Sequence, residues 1–254
     1  MSGGKNKVRV FADSHIGCVR DENQDAYSVC TVHGGTLAVV CDGMGGAAGG
    51  RVAADIACET FCRRFSSVYD DIMSDEHAAF DLHRLCSDAV YAANQAVFER
   101  AVTTPALQGM GTTLAAAYLR DERLYVTNVG DSRVYLHHAG RLARVSHDDS
   151  LVQQMIDAGR LTEDEAWESD QRHLLTRALG TAPYVECGFY AAEVSPGDVV
   201  LVCSDGLTAH YRDSELADVL GGETEAAALT KRLIEGTCSR GGRDNVTVVC
   251  LHID

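Results

Sequence analysis

Four aspartates in this chain adjoin short apolar runs and stand beside glycine or asparagine. Apolar runs end just before Asp42-Gly43, Gly130-Asp131 and Asp205-Gly206, and another begins just after Asp244-Asn245. A single aspartate in such a place is an ordinary turn residue. Four of them suggest acids that converge on one end of a sheet. Because converging carboxylates repel one another, a hard divalent cation is their natural partner.

An arginine that could bind phosphate precedes these acids. Arg20 and Asp25 lie five residues apart in a stretch without periodicity, just before a predicted strand. A planar guanidinium can make paired hydrogen bonds to phosphate oxygens. Taken alone, however, such a cluster is explained as well by a solvated loop, so both interpretations stay open at this point.

Three other patterns have weaker claims to chemistry. The glycine-rich stretch 43–48 loosely fits a dinucleotide fingerprint, but the acid that would bind ribose is missing. Cys58 and Arg64 have the spacing of a cysteine phosphatase loop, yet that segment has no glycine and is predicted to be helical. His147-Asp148-Asp149 and His137-His138 resemble metal ligands, but surface or local hydrogen-bonding roles explain them better.

The apolar patterns predict the elements that must position these residues. Strands are predicted over residues 8–12, 26–32, 36–41, 112–119, 124–129, 132–137, 141–145, 186–194, 199–204 and 246–253. Helices are predicted over residues 50–65, 78–101, 150–158, 214–220 and 223–239, and a capping box at Thr162 begins another. Consecutive hairpins imply antiparallel sheets, and paired helices imply outer layers. We therefore expect an α+β fold in which helices flank two packed antiparallel sheets.

The bulk composition argues against several classes of function. The 254 residues include 22 basic and 37 acidic side chains, and the net charge of −15 disfavours binding to nucleic acid or anionic membranes. No stretch approaches the roughly 20 apolar residues of a membrane span, and no signal peptide is visible. The ten cysteines contain no Cys-x-x-Cys pair, which favours reduced thiols. We expect a cytoplasmic protein with neither kind of partner.

Seven short motifs occur in a characteristic order along the chain. They are residues 20–25, 42–46, 109–113, 130–133, 175–180, 204–207 and 243–247. Together they resemble the metal-dependent serine/threonine protein phosphatases (the PPM, or type 2C, family) in their compact bacterial form. The resemblance covers about residues 8–253. It implies a four-layer α/β/β/α sandwich and a single phosphatase domain over residues 1–254, with residues 1–7 disordered.

The resemblance also implies metal-binding roles for the acids. Asp42 would bridge two divalent metals, and Gly43 would supply a backbone carbonyl to one of them. Asp205 and Asp244 would bind the other metal. Asp131 would bind a weaker third metal, which it would share with Asp205. The implied cofactors are therefore two core Mg²⁺ or Mn²⁺ ions and a possible third.

Two further residues complete the implied site, and three departures from the family pattern accompany them. Asp25 would lie behind the metal ligands and hold a metal-bound water, and Arg20 would bind the phosphate. Gln24 replaces a metal-binding Glu, and Met44 replaces a His proposed as general acid, which leaves the proton donor unassigned. Residues 146–179, here called the flap segment, carry Ser-Asp-x-Arg in place of a common His-Pro-x-Arg. We expect this segment to be mobile and to influence substrate choice.

The function implied is hydrolysis of phosphoserine and phosphothreonine in proteins by a metal-activated water. The implied partners are phosphorylated proteins, including bacterial Ser/Thr kinases and their substrates, and we expect a monomer. Two alternatives are a non-catalytic phosphoprotein-binding module on the same fold and a phosphatase of a sporulation or stress regulator. The first is disfavoured because every core metal acid is present. The sequence does not identify the target proteins, the kinase or the physiological metal.

Overall fold

The computed structural model describes residues 7–74, 82–222 and 225–254. Most of the predicted disordered start, residues 1–6, lies outside the described residues. So do the first four residues of the helix predicted over 78–101 and the first two of the helix predicted over 223–239.

Two antiparallel sheets form the centre of the molecule. The strands are β1 (Val8–His15), β2 (Asp25–Val32), β3 (Gly35–Met44), β4 (Gly111–Thr112), β5 (Leu114–Arg120), β6 (Arg123–Val129), β7 (Arg133–His138), β8 (Arg141–Arg144), β9 (Gly188–Glu193), β10 (Val199–Cys203) and β11 (Val246–Ile253). One sheet has the order β1-β11-β10-β7-β8. The other has the order β2-β3-β5-β6-β9, with β4 paired to the end of β3.

Helices cover the outer face of each sheet. They are α1 (Gly46–Ser74), α2 (Leu82–Thr103), α3 (Leu151–Asp157), α4 (Glu163–Glu168), α5 (Asp205–Thr208), α6 (Asp213–Gly222) and α7 (Ala226–Ser239). Helices α1 and α2 pack on the sheet that contains β3, and α5 to α7 pack on the other. The predicted four-layer α/β/β/α sandwich is therefore confirmed. Within the described ranges, none of the helices is both long and apolar enough to cross a bilayer.

Strand β3 shows why both faces of its sheet are apolar. Leu37, Val39 and Cys41 pack against the helices, whereas Ala38 and Val40 pack against the opposite sheet. Successive side chains of a strand point to opposite faces, so a strand between two layers needs apolar residues throughout. This explains the continuous apolar runs before the aspartates.

Three local predictions were wrong in detail. The strand predicted over 112–119 is divided at Thr113, whose amide and hydroxyl bond to the backbone of Asp42. Helix α1 begins at Gly46, earlier than predicted. The four-residue helix α5 and a short 3₁₀ turn at Pro105–Leu107 were not predicted, because elements of less than two turns leave no periodicity to detect.

The topology brings the candidate acids to one end of the sandwich. Asp25 begins β2 directly opposite Asp42 in β3. Asp131 lies in the crossing from β6 of one sheet to β7 of the other. Asp205 follows β10, and Asp244 precedes its neighbour β11. The predicted convergence at a sheet end thus follows from the strand order.

A close backbone contact fixes the distance between the start of α5 and the turn before β11. A Cβ on Gly206 would lie 1.9 Å from the carbonyl oxygen of Asn245. The start of α5, which carries Asp205, therefore rests directly on the turn that carries Asp244. Only glycine at position 206 permits this approach.

Replacing Gly206 by alanine should destabilise the fold. The new Cβ would overlap a backbone carbonyl that cannot rotate away, so we expect the free energy of unfolding to fall by roughly 2–3 kcal/mol. Gly222→Ala is the matched control, because nothing lies within 4 Å of its Cβ position. Denaturant unfolding measures both. Equal midpoints for the two variants would contradict this packing.

Candidate active site

Asp25 is the most deeply buried acid of the site, with 1% of its surface exposed. Its Oδ2 accepts hydrogen bonds from the hydroxyls of Ser204 (2.8 Å) and Thr247 (2.7 Å). Its Oδ1 has no partner among the described residues. Burial raises the pKa of Asp25 to about 7, against these two hydrogen bonds and with added repulsion from Asp205 and Asp244. A buried carboxylate oxygen without a protein partner is a favourable ligand for a water molecule or a cation.

Asp42 stands opposite Asp25 and is held by its backbone. Its N–H donates to the Thr113 hydroxyl, and its carbonyl accepts from the Thr113 amide and the Thr112 hydroxyl, all at 2.9 Å. The Thr113 hydroxyl in turn contacts the Ser132 hydroxyl at 2.7 Å. This network ties the end of β3 to β5 and to the start of β7. The Asp42 backbone therefore cannot easily move away from the neighbouring acids.

Three half-buried carboxylates share the space in front of Asp25. Burial raises the pKa of Asp42, Asp131 and Asp205, and the charges of neighbouring carboxylates raise each further. Asp42 lies close enough to Asp205 and Asp131 that the charges of these two acids raise its pKa. Each acid thus disfavours ionisation of the next. A divalent cation reverses this, because opposite charge favours the ionised form.

Asp244 is paired with Arg20 at the rim. Arg20 Nε and Nη2 donate to the two oxygens of Asp244 at 2.9 and 2.7 Å. The side chains are 54% and 37% exposed, so solvent screens the pair and exchanging it for another partner costs little. The structure thus brings the residue predicted to grip phosphate into contact with a predicted metal ligand.

The donor set fits a hard divalent cation, although Asp244 is already paired with Arg20. Over the described ranges, no three Asp, Glu, His or Cys side chains are already arranged around a single metal position. Asp244 is paired with Arg20, so a metal would have to displace Arg20 in order to bind this acid. Carboxylate oxygens and an orphaned Oδ1 on Asp25 are nonetheless the ligands that Mg²⁺ and Mn²⁺ prefer.

Gly43 has no room for a side chain. A Cβ there would lie 2.0 Å from the carbonyl oxygen of Gly50 in α1 and 2.7 Å from that of Gln24. The side-chain amide of Gln24 donates to the backbone carbonyl of Gly46 at the start of α1 (3.0 Å). The glycine-rich stretch therefore serves a close approach between β3 and α1.

Asn245 is a positioning residue that the sequence analysis left without a role. Its side chain is buried and accepts a hydrogen bond from the backbone N–H of Gln24 (2.8 Å). It also donates to the backbone carbonyls of Ile16 (2.8 Å) and Glu22 (2.9 Å). It thereby fixes the loop that carries Arg20 beside Asp244. Its place in the Asp-Asn motif was the only signal in the sequence.

Asp148 and Asp149 are buried, so the predicted surface role is wrong for them. The predicted local hydrogen bonding is confirmed. Asp148 binds Arg133 through contacts of 2.7–3.1 Å. Asp149 accepts from the amide of Gly130 (3.2 Å) and from Nε of Arg177 (2.8 Å). The pair therefore joins the flap segment to the turn that carries Asp131.

The His137-His138 pair and the Cys58 motif, considered above as candidate sites, have structural roles. His137 is buried and His138 is exposed and contacts Asp198 (2.8 Å), which matches the predicted alternation. Cys58 is buried in α1, and a hydrogen bond with Cys41 together with burial raises the pKa of its thiol. A thiol with a raised pKa is a poor nucleophile, so the Cys58 motif carries no catalysis.

Trp167 is a further anchor of the flap segment. The indole N–H of Trp167 in α4 donates to the carbonyl of Thr208 in α5 (3.2 Å), and the Arg212 guanidinium lies 4.3 Å from its ring centroid. Arg172 donates to the Trp167 carbonyl (2.9 Å). The predicted capping box at Thr162 is confirmed in both halves. The mobility of the segment stays a prediction.

Two cavities meet at the acids. One, of about 760 Å³, contains Asp42, Gly43, Asp131, Asp205 and Asp244 in its wall. The other, of about 650 Å³, lies between the flap segment and α5–α6. The first is large enough for a phosphorylated side chain, and the second is here called the side cavity.

Comparison with known proteins identifies relatives of this chain. The family model described as Protein phosphatase 2C matches residues 14–235. The serine/threonine protein phosphatase PstP of Mycobacterium tuberculosis is 37% identical over 246 residues, 97% of this chain and 45% of that protein. A putative protein phosphatase 2C-type from Streptococcus pyogenes is 28% identical, over 96% of this chain and 97% of its own. The chain thus spans less than half the length of the mycobacterial relative.

A solved structure of a relative has the same architecture and contains metal ions. The catalytic domain of PstP, in complex with two manganese ions, superposes with a TM-score of 0.82 at 35% identity. The match covers 97% of this chain and 98% of that one. The bound manganese is a property of that relative.

Removing one acid should stabilise the metal-free protein. The raised pKa of Asp205 means that its ionised form costs stability above that pKa, and that this cost disappears as the pH falls and the group is protonated. With chelator at pH 8, Asp205→Asn should unfold about 2–4 °C above the wild type, or about 1 kcal/mol for this size. The gain should shrink in acid.

Differential scanning calorimetry with chelator and then with Mn²⁺ measures this effect. Asp218→Asn, which removes an exposed acid of α6, is the control and should leave the midpoint unchanged. Mn²⁺ should raise the wild-type midpoint more than that of Asp205→Asn. A wild type at least as stable as Asp205→Asn in chelator would show that the acids do not repel as described.

Proposed function

The chain belongs to the protein phosphatase 2C family, and we propose that it hydrolyses phosphoserine and phosphothreonine in proteins with the help of divalent metals. One observation carries the proposal above all. Asp42, Asp131, Asp205 and Asp244 converge on one cavity beside an arginine, and all belong to the family's motifs. A non-catalytic binding module would have no need of mutually repelling acids.

The metal ligands proposed are the acids and one carbonyl. Asp42 and the Gly43 carbonyl would hold one core ion, Asp42 with Asp205 and Asp244 the other, and Asp131 with Asp205 a weaker third. We propose Mg²⁺ or Mn²⁺, in line with the two manganese ions of the PstP catalytic domain. Bound there, such ions lower the pKa of a coordinated water and offset charge on phosphoryl oxygens.

Arg20 supplies the phosphate-binding group. Its guanidinium is exposed, faces the cavity and already makes a bidentate contact with a carboxylate. A phosphate presents the same paired oxygens, so Arg20 can exchange Asp244 for the substrate while Asp244 turns to a metal. The exposure of the pair makes this exchange inexpensive.

Asp25 acts behind the metal ligands. The hydroxyls of Ser204 and Thr247 fix Oδ2, which leaves Oδ1 directed at no protein donor. That oxygen can accept a hydrogen bond from a water and so orient it toward the phosphorus. We therefore assign Asp25 as a positioning residue for the attacking water.

The substrates and setting are also part of the proposal. We propose that phosphorylated proteins, including Ser/Thr kinases and their substrates, are dephosphorylated by this chain as a single phosphatase domain over residues 1–254. The proposal places this chain in the cytoplasm as a monomer, and the residues assigned to metal and phosphate binding all line one cavity of a single chain.

Activity on a phosphothreonine peptide should depend on added metal. We expect phosphate release with Mn²⁺ or Mg²⁺ and none with excess chelator. Asp42→Asn should lower kcat by about three orders of magnitude, because it removes a charge shared by both core ions. Asp218→Asn is the control. Undiminished turnover in chelator would exclude the metal mechanism, and near-native turnover of Asp42→Asn would show that the site lies elsewhere.

Arg20→Ala should weaken substrate binding and leave metal binding intact. Loss of a bidentate charge-assisted contact should reduce kcat/KM by about tenfold to a hundredfold, mainly through KM. Arg20→Lys should fall between, since lysine keeps the charge but not the fork. Steady-state kinetics and Mn²⁺ calorimetry test this. Weaker Mn²⁺ binding with an unchanged KM would assign Arg20 to the metals instead.

A further inference from the structure

The side cavity shares Arg20, Asp131, Asp205 and Asp244 with the proposed reaction centre, but the rest of its wall has no role in the proposed reaction. Its wall includes Arg172 of the flap segment, His210 after α5, and Arg243 beside Asp244. Arg243 and Asp205 also line the larger cavity. A peptide whose phosphorylated residue lies over the acids can therefore place a neighbouring residue in the side cavity.

The acids of the side cavity are occupied by other groups. Asp131, Asp205 and Asp244 are assigned to the proposed metals, and Asp244 is paired with Arg20 in this structure. The others bind groups of the protein itself: Asp148 with Arg133 (2.7 Å), Glu163 with Arg144 (3.2 Å), Asp164 with Arg212, and Asp213 with the Tyr135 hydroxyl (2.8 Å). Asp213 also lies 3.9 Å from Nη1 of Arg133, so each of these four acids has an arginine as a neighbour.

Two guanidiniums in the same wall have no acid to bind. Neither Arg172 nor Arg243 forms an ion pair within the ranges that the structure describes. Arg172 is oriented by the Trp167 carbonyl (2.9 Å), and its guanidinium lies 5.7 Å from that ring. Arg243 uses its backbone N–H to bind Nε2 of His210 (3.3 Å), which leaves its exposed side chain free to bind a ligand.

The surroundings of His210 show that these charges act together. The pKa of His210 is lowered by burial and by the charges of Arg243, Arg172 and Arg240. Arg240 is itself paired with Glu215 (2.8 Å), so the other two supply the unneutralised charge. Arg172 and Arg243 thus place two positive charges without an acidic partner among the described residues in the wall of the side cavity, near His210.

We propose that the side cavity is a second anion subsite, which selects phosphoproteins with another negative group close to the phosphorylated residue. Either a carboxylate side chain or a second phosphate presents paired oxygens that match a guanidinium. The inference rests on the proposed phosphatase function and adds a substrate class to it. Arg172 and Arg243 are then specificity residues, distinct from Arg20.

Peptide kinetics with the full chain and Mn²⁺ test the proposal. One set of phosphothreonine peptides carries glutamine, glutamate or a second phosphothreonine, placed in turn at each flanking position. At the best position, kcat/KM should be about tenfold higher with the added anion than with glutamine. The glutamate and phosphothreonine arms identify which anion the subsite takes.

Variants then assign the preference to the side cavity. Arg243→Gln should bring the ratio of anionic to neutral kcat/KM close to one, and Arg172→Gln should lower it. Arg141→Gln is the control, since Arg141 is exposed on β8 and lines neither cavity, and its ratio should equal the wild-type ratio. Arg172 also supports Trp167, whereas Arg243 has no side-chain bond to lose, so Arg243→Gln is the decisive variant.

The outcomes separate this inference from the function on which it rests. Hydrolysis of no phosphopeptide in the presence of metal would overturn the proposed function. Metal-dependent hydrolysis with equal rates on neutral and anionic peptides would overturn the subsite alone. A preference that survives in Arg243→Gln, with an unchanged unfolding midpoint, would also overturn it.

Discussion

Electrostatic repulsion among buried and half-buried carboxylates is the constraint around which this molecule is arranged. Burial raises the pKa of Asp25, Asp42, Asp131 and Asp205, and the charges of neighbouring carboxylates raise each of these pKa values further. Left to themselves, such groups would move apart or draw in water. The fold instead holds them together through the backbone, so the energy of the surrounding sheets maintains a site that is unfavourable in isolation.

The means of holding them are short polar side chains and close backbone contacts. Hydroxyls of Thr113, Ser204 and Thr247 bind the acids or their backbone, and Asn245 fixes the loop of Arg20. Gly206 lets α5 rest on the turn before β11. None of these groups is charged, so they confine the acids without neutralising them. A cation that binds here meets ligands whose backbone is already in place.

The parts predicted from sequence are those that local patterns determine. Apolar runs located the strands, and the residues at their ends located Asp42, Asp131, Asp205 and Asp244. Contacts between distant residues were missed, because no local pattern encodes them. Asn245 acts on residues 16–24, and Asp149 joins Gly130 to Arg177. Thr113 divides a predicted strand because its bonds go to Asp42. Tertiary partners thus decided the outcome wherever local propensity was neutral.

The docking of the flap segment has a practical consequence. Trp167 is the only tryptophan in the chain, and it binds the carbonyl of Thr208 on the helix that begins with Asp205. Its ring is covered on one side by Arg212. Indole emission depends on the polarity around the ring, and no second tryptophan contributes to the signal. The fluorescence of Trp167 can therefore report, without an added label, the docking of the flap segment on α5 in a stopped-flow experiment.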